Sequence, residues 1–342
     1  TMSFTLFDGG ARSARIRAAR QEVGAAEASI SASEQALIAV VVETYAQVLA
    51  QRETLAAHDL RLRALVTEQS RASQFFAAGR GAEVTVLRAD AAVAEAEAVR
   101  VSLATGLDVT VRSLARLIGS RPESITAERL SGTKLRDSAE RPPNRGESLT
   151  MALESSPAVE RARSKVAAAR AGIGVAKGAR WPALGLVGRF IDRGSSQGDY
   201  TSEWDAGIQL SYPIFTGGAT SNRVAQAEAL LAGRSEELRL AELDAAARVD
   251  RAWSATEESR ARISSLSSAV AGFSEVARVE QLRLDTGTGT QTDYLKAEAD
   301  LLNARANLAR ARYGLLTARV NLALATGRLS PAWLAATLEI ES

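Results

Sequence analysis

The pentapeptide LFDGG at Leu6–Gly10 returns as IFTGG at Ile214–Gly218. Gly9 and Gly217 are 208 positions apart, and other landmarks keep that offset. Ala11, Ser13, Arg15 and Ala19 recur as Ala219, Ser221, Arg223 and Ala227. Gly79-Arg80-Gly81 recurs as Gly287-Thr288-Gly289, and Gly119 recurs as Gly327. A register held without insertion from Phe7 to Gly119 is the mark of one structural unit present twice. The period is far too long for a short-repeat solenoid. The repeat divides the chain into a first unit, 1–119, a connector, 120–146, a second unit, 147–327, and a tail, 328–342.

Within each copy the pattern is helical. Ala11 to about Ala78 holds no proline and is rich in strong helix formers. Val23, Ile30 and Leu37 are seven apart, as are Val41, Val48, Leu55 and Leu62 after a shift of four. That is a narrow stripe at the coiled-coil period. A helix of this length spans on the order of 100 Å, longer than a compact domain holds. Gly79 and Gly81 break it where a tight reversal needs a left-handed residue. A second helix is predicted from about Glu83 to Leu117, with Val86, Val93, Leu107 and Leu114 on its seven-residue grid and Arg100 interrupting it. The second copy predicts helices from Ala219 to about Asp285 and from Thr292 to Ala325. Between the copies, Pro122, Gly132, Pro142, Pro143 and Gly146 predict an irregular connector with a short helix near Ala127–Leu130. A shorter helical stretch follows, from about Glu147 to Lys177, with Ser155-Ser156 suited to cap a restart at Pro157.

The period then switches to two. Leu184, Leu186 and Phe190 alternate with Gly185, Val187 and Arg189. After a polar turn, Asp192–Thr201, containing Gly194, Ser195, Ser196 and Gly198, the residues Trp204, Ala206, Ile208, Leu210, Tyr212 and Ile214 fall on one face. Strands of about ten residues have the length that a tilted membrane-spanning strand requires. Gly9, Gly10, Gly217 and Gly218 then sit where a strand ends and a long helix begins, allowing a sharp change of direction and a close approach of neighbours. Met2, Phe4 and Leu6 match Leu210, Tyr212 and Ile214.

Composition narrows the function. The charge is balanced, 42 basic against 40 acidic residues, which argues against a nucleic-acid partner. With no cysteine and one histidine, His58, no thiolate or histidine metal site, cofactor site or catalytic triad is expected. His58 and the spaced carboxylates Glu83, Asp90 and Glu97 are expected on solvated helix faces, and Trp253 in helix packing. No signal-peptide pattern is read at Thr1, and no continuous apolar run of about 18 residues is found, so a membrane role would rest on strands or a lipid anchor.

The motifs LFDGG and IFTGG at strand-to-helix joins, GRGAEVTVLRADA and GTGTQTDYLKAEA at helix reversals, and ARWPALGLVG leading into a strand resemble the TolC family. These are outer-membrane channels of Gram-negative efflux pumps and type I secretion systems. The resemblance implies a mainly α protein with a small β part. It implies a homotrimer whose helical hairpins form a periplasmic α-barrel and whose strands close one outer-membrane β-barrel. It implies a passive exit duct in contact with outer-membrane lipid. A periplasmic adaptor would couple it to an inner-membrane transporter of RND or ABC type. Efflux of small molecules and secretion of a polypeptide would use the same tube. Only the end of a strand precedes LFDGG, so the resemblance also implies a chain shortened at its N-terminus.

Site residues follow from the same resemblance. The reversals Gly79-Arg80-Gly81 and Gly287-Thr288-Gly289 would receive the adaptor's hairpins, besides being helix turns. Asp293 matches the first position of an acidic ring at the pore entrance, besides capping a helix. The second position of that ring is Lys296 here, and Asp285 would add charge. Trp204, Ile208, Leu210 and Tyr212 would face lipid, with Trp181 at the membrane interface. The alternative is a soluble coiled-coil scaffold or a periplasmic adaptor, which the long helices fit equally well. The alternating segment Trp181–Ile214 favours the channel.

Overall fold

The computed structural model describes residues 2–136, 143–194 and 200–341. Pro142 and the turn residues Ser195, Ser196 and Gly198 lie outside them, whereas Asp192, Arg193 and Gly194, expected in that turn, pair with Ser202, Thr201 and Tyr200 and so extend the hairpin. Strand β1 (Met2–Phe7) leads into helix α1 (Ala11–Ala77), and α2 (Glu83–Leu117) follows. Two 3-10 turns (Pro122–Ser124, Ala127–Arg129) and strand β2 (Gly132–Leu135) make the connector. Helices α3 (Arg145–Ser155) and α4 (Pro157–Gly178) precede strands β3 (Ala183–Gly194) and β4 (Tyr200–Ser211). Helices α5 (Ala219–Asp285) and α6 (Gln291–Ala325), a short α7 (Pro331–Thr337) and strand β5 (Leu338–Glu341) complete the chain. Helices α1 and α5 each have 67 residues, and α2 and α6 each have 35. Both pairs start 208 positions apart.

Contacts divide the chain into two compact units, residues 1–33 with 153–246 and residues 34–152 with 247–342. The divisions fall inside α1, α3 and α5.

The first unit holds an antiparallel sheet in the order β1-β3-β4. Paired residues share a side, so Phe4, Leu186 and Ile208 form one row across it, and Phe190 lies beside Trp204. The other side is mostly small and polar, with Val187 and Ile191 among them, and carries ion pairs Arg189–Asp205 (3.8 Å) and Arg193–Glu203 (3.7 Å). Strand β4 ends at Ser211, so Tyr212 and Ile214 lie beyond it rather than on it. Pro213 offers no N–H to a ladder, which stops the pairing there. Next to the sheet, α4 packs tightly on the start of α1. A Cβ on Gly178 would stand 2.8 Å from that of Ala11, and one on Gly174 would stand 3.1 Å from that of Ala14. Small residues therefore set this helix spacing. Ser156 takes the N-cap position of α4, but its side chain makes no capping bond, contrary to the sequence expectation. Pro157 at the first turn starts the helix through its fixed φ instead.

The second unit is built from thin apolar seams. Val48 of α1 packs with Leu107, Val111 and Leu114 of α2. Leu65 packs with Val93 and Ala96. Ala39, Val42, Ala46 and Leu49 meet Tyr313, Leu316, Val320 and Ala323 of α6. Ala152 of α3 meets Val249 and Ala252 of α5, with Trp253 against them as expected. Arg100, which interrupts the α2 grid, reaches across to Asp59 at 2.6 Å. The apolar stripe is not continuous in its burial: Val23, Ile30 and Leu37 are exposed on the single chain.

Two short strands escaped the sequence reading. β2 and β5 pair antiparallel, Gly132 with Glu341 through Leu135 with Leu338. The first lies in the segment read as an irregular connector and the second in the tail. Four residues are too few to show a period. Helix α1 also contains an 18-residue window of mean hydropathy 1.3, apolar enough by composition to cross a membrane, although no continuous apolar run exists. Most of that window is uncovered within the chain.

Candidate functional site

The sequence places functional residues at two loci, and each lies within one unit. The first is the pair of helix reversals. Gly79 (φ 70°) and Gly287 (φ 74°) adopt left-handed backbone. At the first reversal, the Arg80 N–H donates to the Phe75 carbonyl at 2.9 Å and the Gly79 N–H to that of Phe76 at 2.9 Å. Thr288 to Arg283 (2.9 Å) and Gly287 to Leu284 (3.1 Å) repeat this at the second. This double bond is the Schellman closure, which glycine completes without a Cβ clash. The second glycine of each turn serves a different need. A Cβ on Gly81 would approach the Phe76 nitrogen to 3.1 Å, and one on Gly289 would reach 2.8 Å from the Arg283 Cβ.

Asp293 begins α6 as one half of a reciprocal cap. The Thr290 Oγ1 accepts from the Asp293 N–H at 3.2 Å and donates to the Asp293 carboxylate at 2.7 Å. Asp285, at the end of α5, pairs with Arg71 of α1 at 2.7 Å. Its charge, which the sequence reading added to the entrance, is therefore paired within the chain. Beside this pair lie two groups that the sequence did not single out. Glu68 is 8% exposed, and burial raises its pKa, with Arg71 opposing and Asp285 reinforcing the rise. Tyr294 is 6% exposed, and burial, with Glu298, Glu68 and Asp285 nearby, pushes its hydroxyl up to about 12. No spacing in the sequence links Glu68 to Asp285; only packing of α1 with α5 and α6 brings them together.

His58 was expected on a solvated face. It is half-buried, with Nδ1 unpartnered, and burial and Arg61 lower its pKa. Helix α1 turns it toward α6, where Arg310 also lowers its pKa. Asp90, by contrast, is exposed and accepts from Gln69 at 2.9 Å. Among the described residues no group of three or more His, Cys, Asp or Glu could hold a metal ion.

The second locus is the sheet and its joins. Gly9 (φ 65°), Gly10 (φ 82°), Gly217 (φ 56°) and Gly218 (φ 84°) are all left-handed, so each join turns as its glycine pair allows. The two joins differ in their neighbours. A Cβ on Gly9 would lie 2.5 Å from the Gly178 carbonyl oxygen and 2.7 Å from the Trp181 Cβ. A Cβ on Gly217 would meet nothing within 4 Å, so the close approach expected at both joins exists only at the first. On β4, Trp204, Ile208 and Leu210 are 79%, 70% and 67% exposed. They form an apolar face with nothing over it in the chain. Such a face on a narrow sheet, beside polar rows on the reverse, is the arrangement of a strand between lipid and an aqueous interior.

Long helical hairpins joined to a narrow antiparallel sheet with one exposed apolar face define the fold class of the chain. The family model described as outer membrane efflux protein matches residues 1–120 and 149–328, and the chain belongs to that family. The resemblance to the TolC family agrees with this. The chain is 26% identical over 309 residues to the outer membrane efflux protein BepC of Brucella suis, covering 86% of this chain. It is 28% identical over 319 residues to protein CyaE of Bordetella pertussis, covering 88% of this chain. In both cases it spans 64% of the relative's length. The crystal structure of the outer membrane protein VceC from Vibrio cholerae shares the fold, with a TM-score of 0.79 and 20% identity. That match covers 95% of this chain and 78% of the other.

Proposed function

We propose that the chain is the exit duct of a tripartite efflux pump or a type I secretion system, seated in the outer membrane and reaching into the periplasm. The observation that carries this is the uncovered apolar face of Trp204, Ile208 and Leu210 on a sheet that feeds directly into 67-residue helices. The family supports it, and no catalytic step is part of it. In this reading three copies close one barrel. Among the described strands, β1 and β4 each leave an edge unpaired, and an open edge in lipid costs several kcal/mol per unsatisfied group.

The finer roles rest on the same reading. A periplasmic adaptor docks at Gly79-Arg80-Gly81 and Gly287-Thr288-Gly289, and an inner-membrane transporter of RND or ABC type supplies the energy. Asp293 contributes to an acidic ring at the entrance, with Lys296 one turn on giving it mixed sign. Asp285 adds charge there, opposed by its partner Arg71. The test is the molar mass of the chain in detergent, by light scattering with the detergent subtracted. A trimer of about three times 36.1 kDa is expected. A monomer or dimer that needs no detergent would favour a soluble coiled-coil scaffold instead.

A further inference from the structure

The overall charge balance conceals a local excess. Residues 11–20 hold Arg12, Arg15, Arg17 and Arg20, and no acidic residue. Residues 161–180 hold six more basic residues and again no acidic one. These thirty residues carry ten positive charges in a chain of net charge +2. They lie on the first turns of α1 and along α4, both in the unit that holds the sheet. Phe7, Leu184 and Leu210 align at one end of the sheet, and β1, β3 and β4 all join their helices there. The basic residues therefore begin where the apolar face stops.

One contact ties the two together. The Arg12 guanidinium stands 5.7 Å from the ring centroid of Phe4, which belongs to the apolar row with Leu186 and Ile208. Arg12, Ile16 and Arg20 follow at intervals of four and so share a helix face. On the flank of that face, Arg17, Arg20 and Arg170 line a groove of about 440 Å³ between α1 and α4. Its floor is Ala167, Ala171 and Gly174, and no carboxylate lines it. Arg17 donates only to the Ser13 hydroxyl, at 3.4 Å, and Arg20 and Arg170 have no carboxylate partner among the described residues. Two other basic groups of α4 are paired, Arg163 with Glu242 and Lys177 with Glu228, each at 3.9 Å.

We propose that this groove binds the phosphate of anionic phospholipid headgroups in the leaflet at the helical end of the sheet. The inference rests on the reading of the sheet as membrane-spanning. The hydrocarbon core is about 30 Å thick and the headgroup zones bring the bilayer to about 40–45 Å, so each zone is about 5–7 Å deep and covers about the first turn of α1. Arg17 and Arg20 start about 9 and 14 Å along α1, and side chains on a helix lean toward its N-terminus, here the sheet end, so their long stems span the remaining distance. Guanidinium forks match phosphate oxygens, and basic pockets beside membrane spans take acidic headgroups. The small-residue floor lets a headgroup approach the helix backbones.

The test is native mass spectrometry of the 342-residue chain in detergent, offered equal amounts of dioleoylphosphatidylglycerol and dioleoylphosphatidylcholine. Phosphatidylglycerol-bound species should exceed phosphatidylcholine-bound species by about tenfold. The combined change Arg17→Gln, Arg20→Gln and Arg170→Gln should equalise the two at unchanged helix content by circular dichroism. The corresponding three Arg→Lys changes, which keep the charges, should retain most of the preference. Equal binding in the unaltered chain, a preference that survives the Gln changes, or displacement of the lipid by excess inorganic phosphate would each overturn the proposal. A chain that stays in solution without detergent and binds neither lipid would instead overturn the membrane reading beneath it.

Discussion

Gly9 and Gly217 are equivalent in the repeat yet face different surroundings. Both have positive φ, which costs a non-glycine residue roughly 1–2 kcal/mol. Only Gly9 is pressed against a backbone, and overpacking of that kind adds typically 1–3 kcal/mol. Gly217→Ala should therefore lower unfolding free energy by about 1 kcal/mol, and Gly9→Ala by at least twice as much. Chemical denaturation in detergent, followed by far-ultraviolet circular dichroism, measures both; equal losses would refute the difference. Glu68 offers a pH test. Its folded pKa is raised, so the folded state holds its proton where the unfolded state has lost it. Its contribution is present below the ordinary carboxylate pKa and is lost as pH rises through the higher folded value. Glu68→Gln should remove that falling limb and leave the acid end unchanged, read as the thermal midpoint against pH. The glycines were legible in the sequence because no other residue does their work. Glu68 and Tyr294 were not, since their environment comes from helices more than 200 positions apart in the chain.

At the scale of elements, the helices and the strand β3 were legible from their periods, and the predicted ends of α1, α2, α5 and α6 fall within a residue of those found. The end of β4 was not, because the alternation of apolar residues continues past Ser211 while Pro213 stops the hydrogen bonding. The start of α3 was placed near Glu147, but Asn144 and Glu147 cap each other at 2.9 Å in both directions and begin the helix at Arg145. The two sides of β4 should respond oppositely to charge. Ile208→Arg, on the apolar face, should cost about 2–4 kcal/mol near the middle of a bilayer, whereas Gln209→Arg on the polar side should cost little. The fraction of chain that floats with phosphatidylcholine vesicles checks this, and equal flotation of the two variants would refute it. At the reversals, Gly287→Leu should leave the detergent-resistant oligomer in place but impair transport in cells. Normal transport by that variant would remove the second reversal from the docking surface.

For the whole molecule, the exposed stripe of Val23, Ile30 and Leu37 and the unpaired strand edges make the same demand. The proposed trimer would cover both, helix beside helix and strand beside strand. The tube wall of the proposed duct would have no globular core, which accounts for a sequence rich in Ala, Val and Leu and with only 5% aromatic residues. The basic belt escaped the sequence reading because the whole-chain balance of 42 against 40 averages it away. The most direct test of the duct is conductance in a planar lipid bilayer. The account predicts discrete steps with a preference for cations, and a weaker preference for Asp293→Ala. Bilayers that hold the inserted protein, as judged by flotation, and yet show no conductance steps would contradict it.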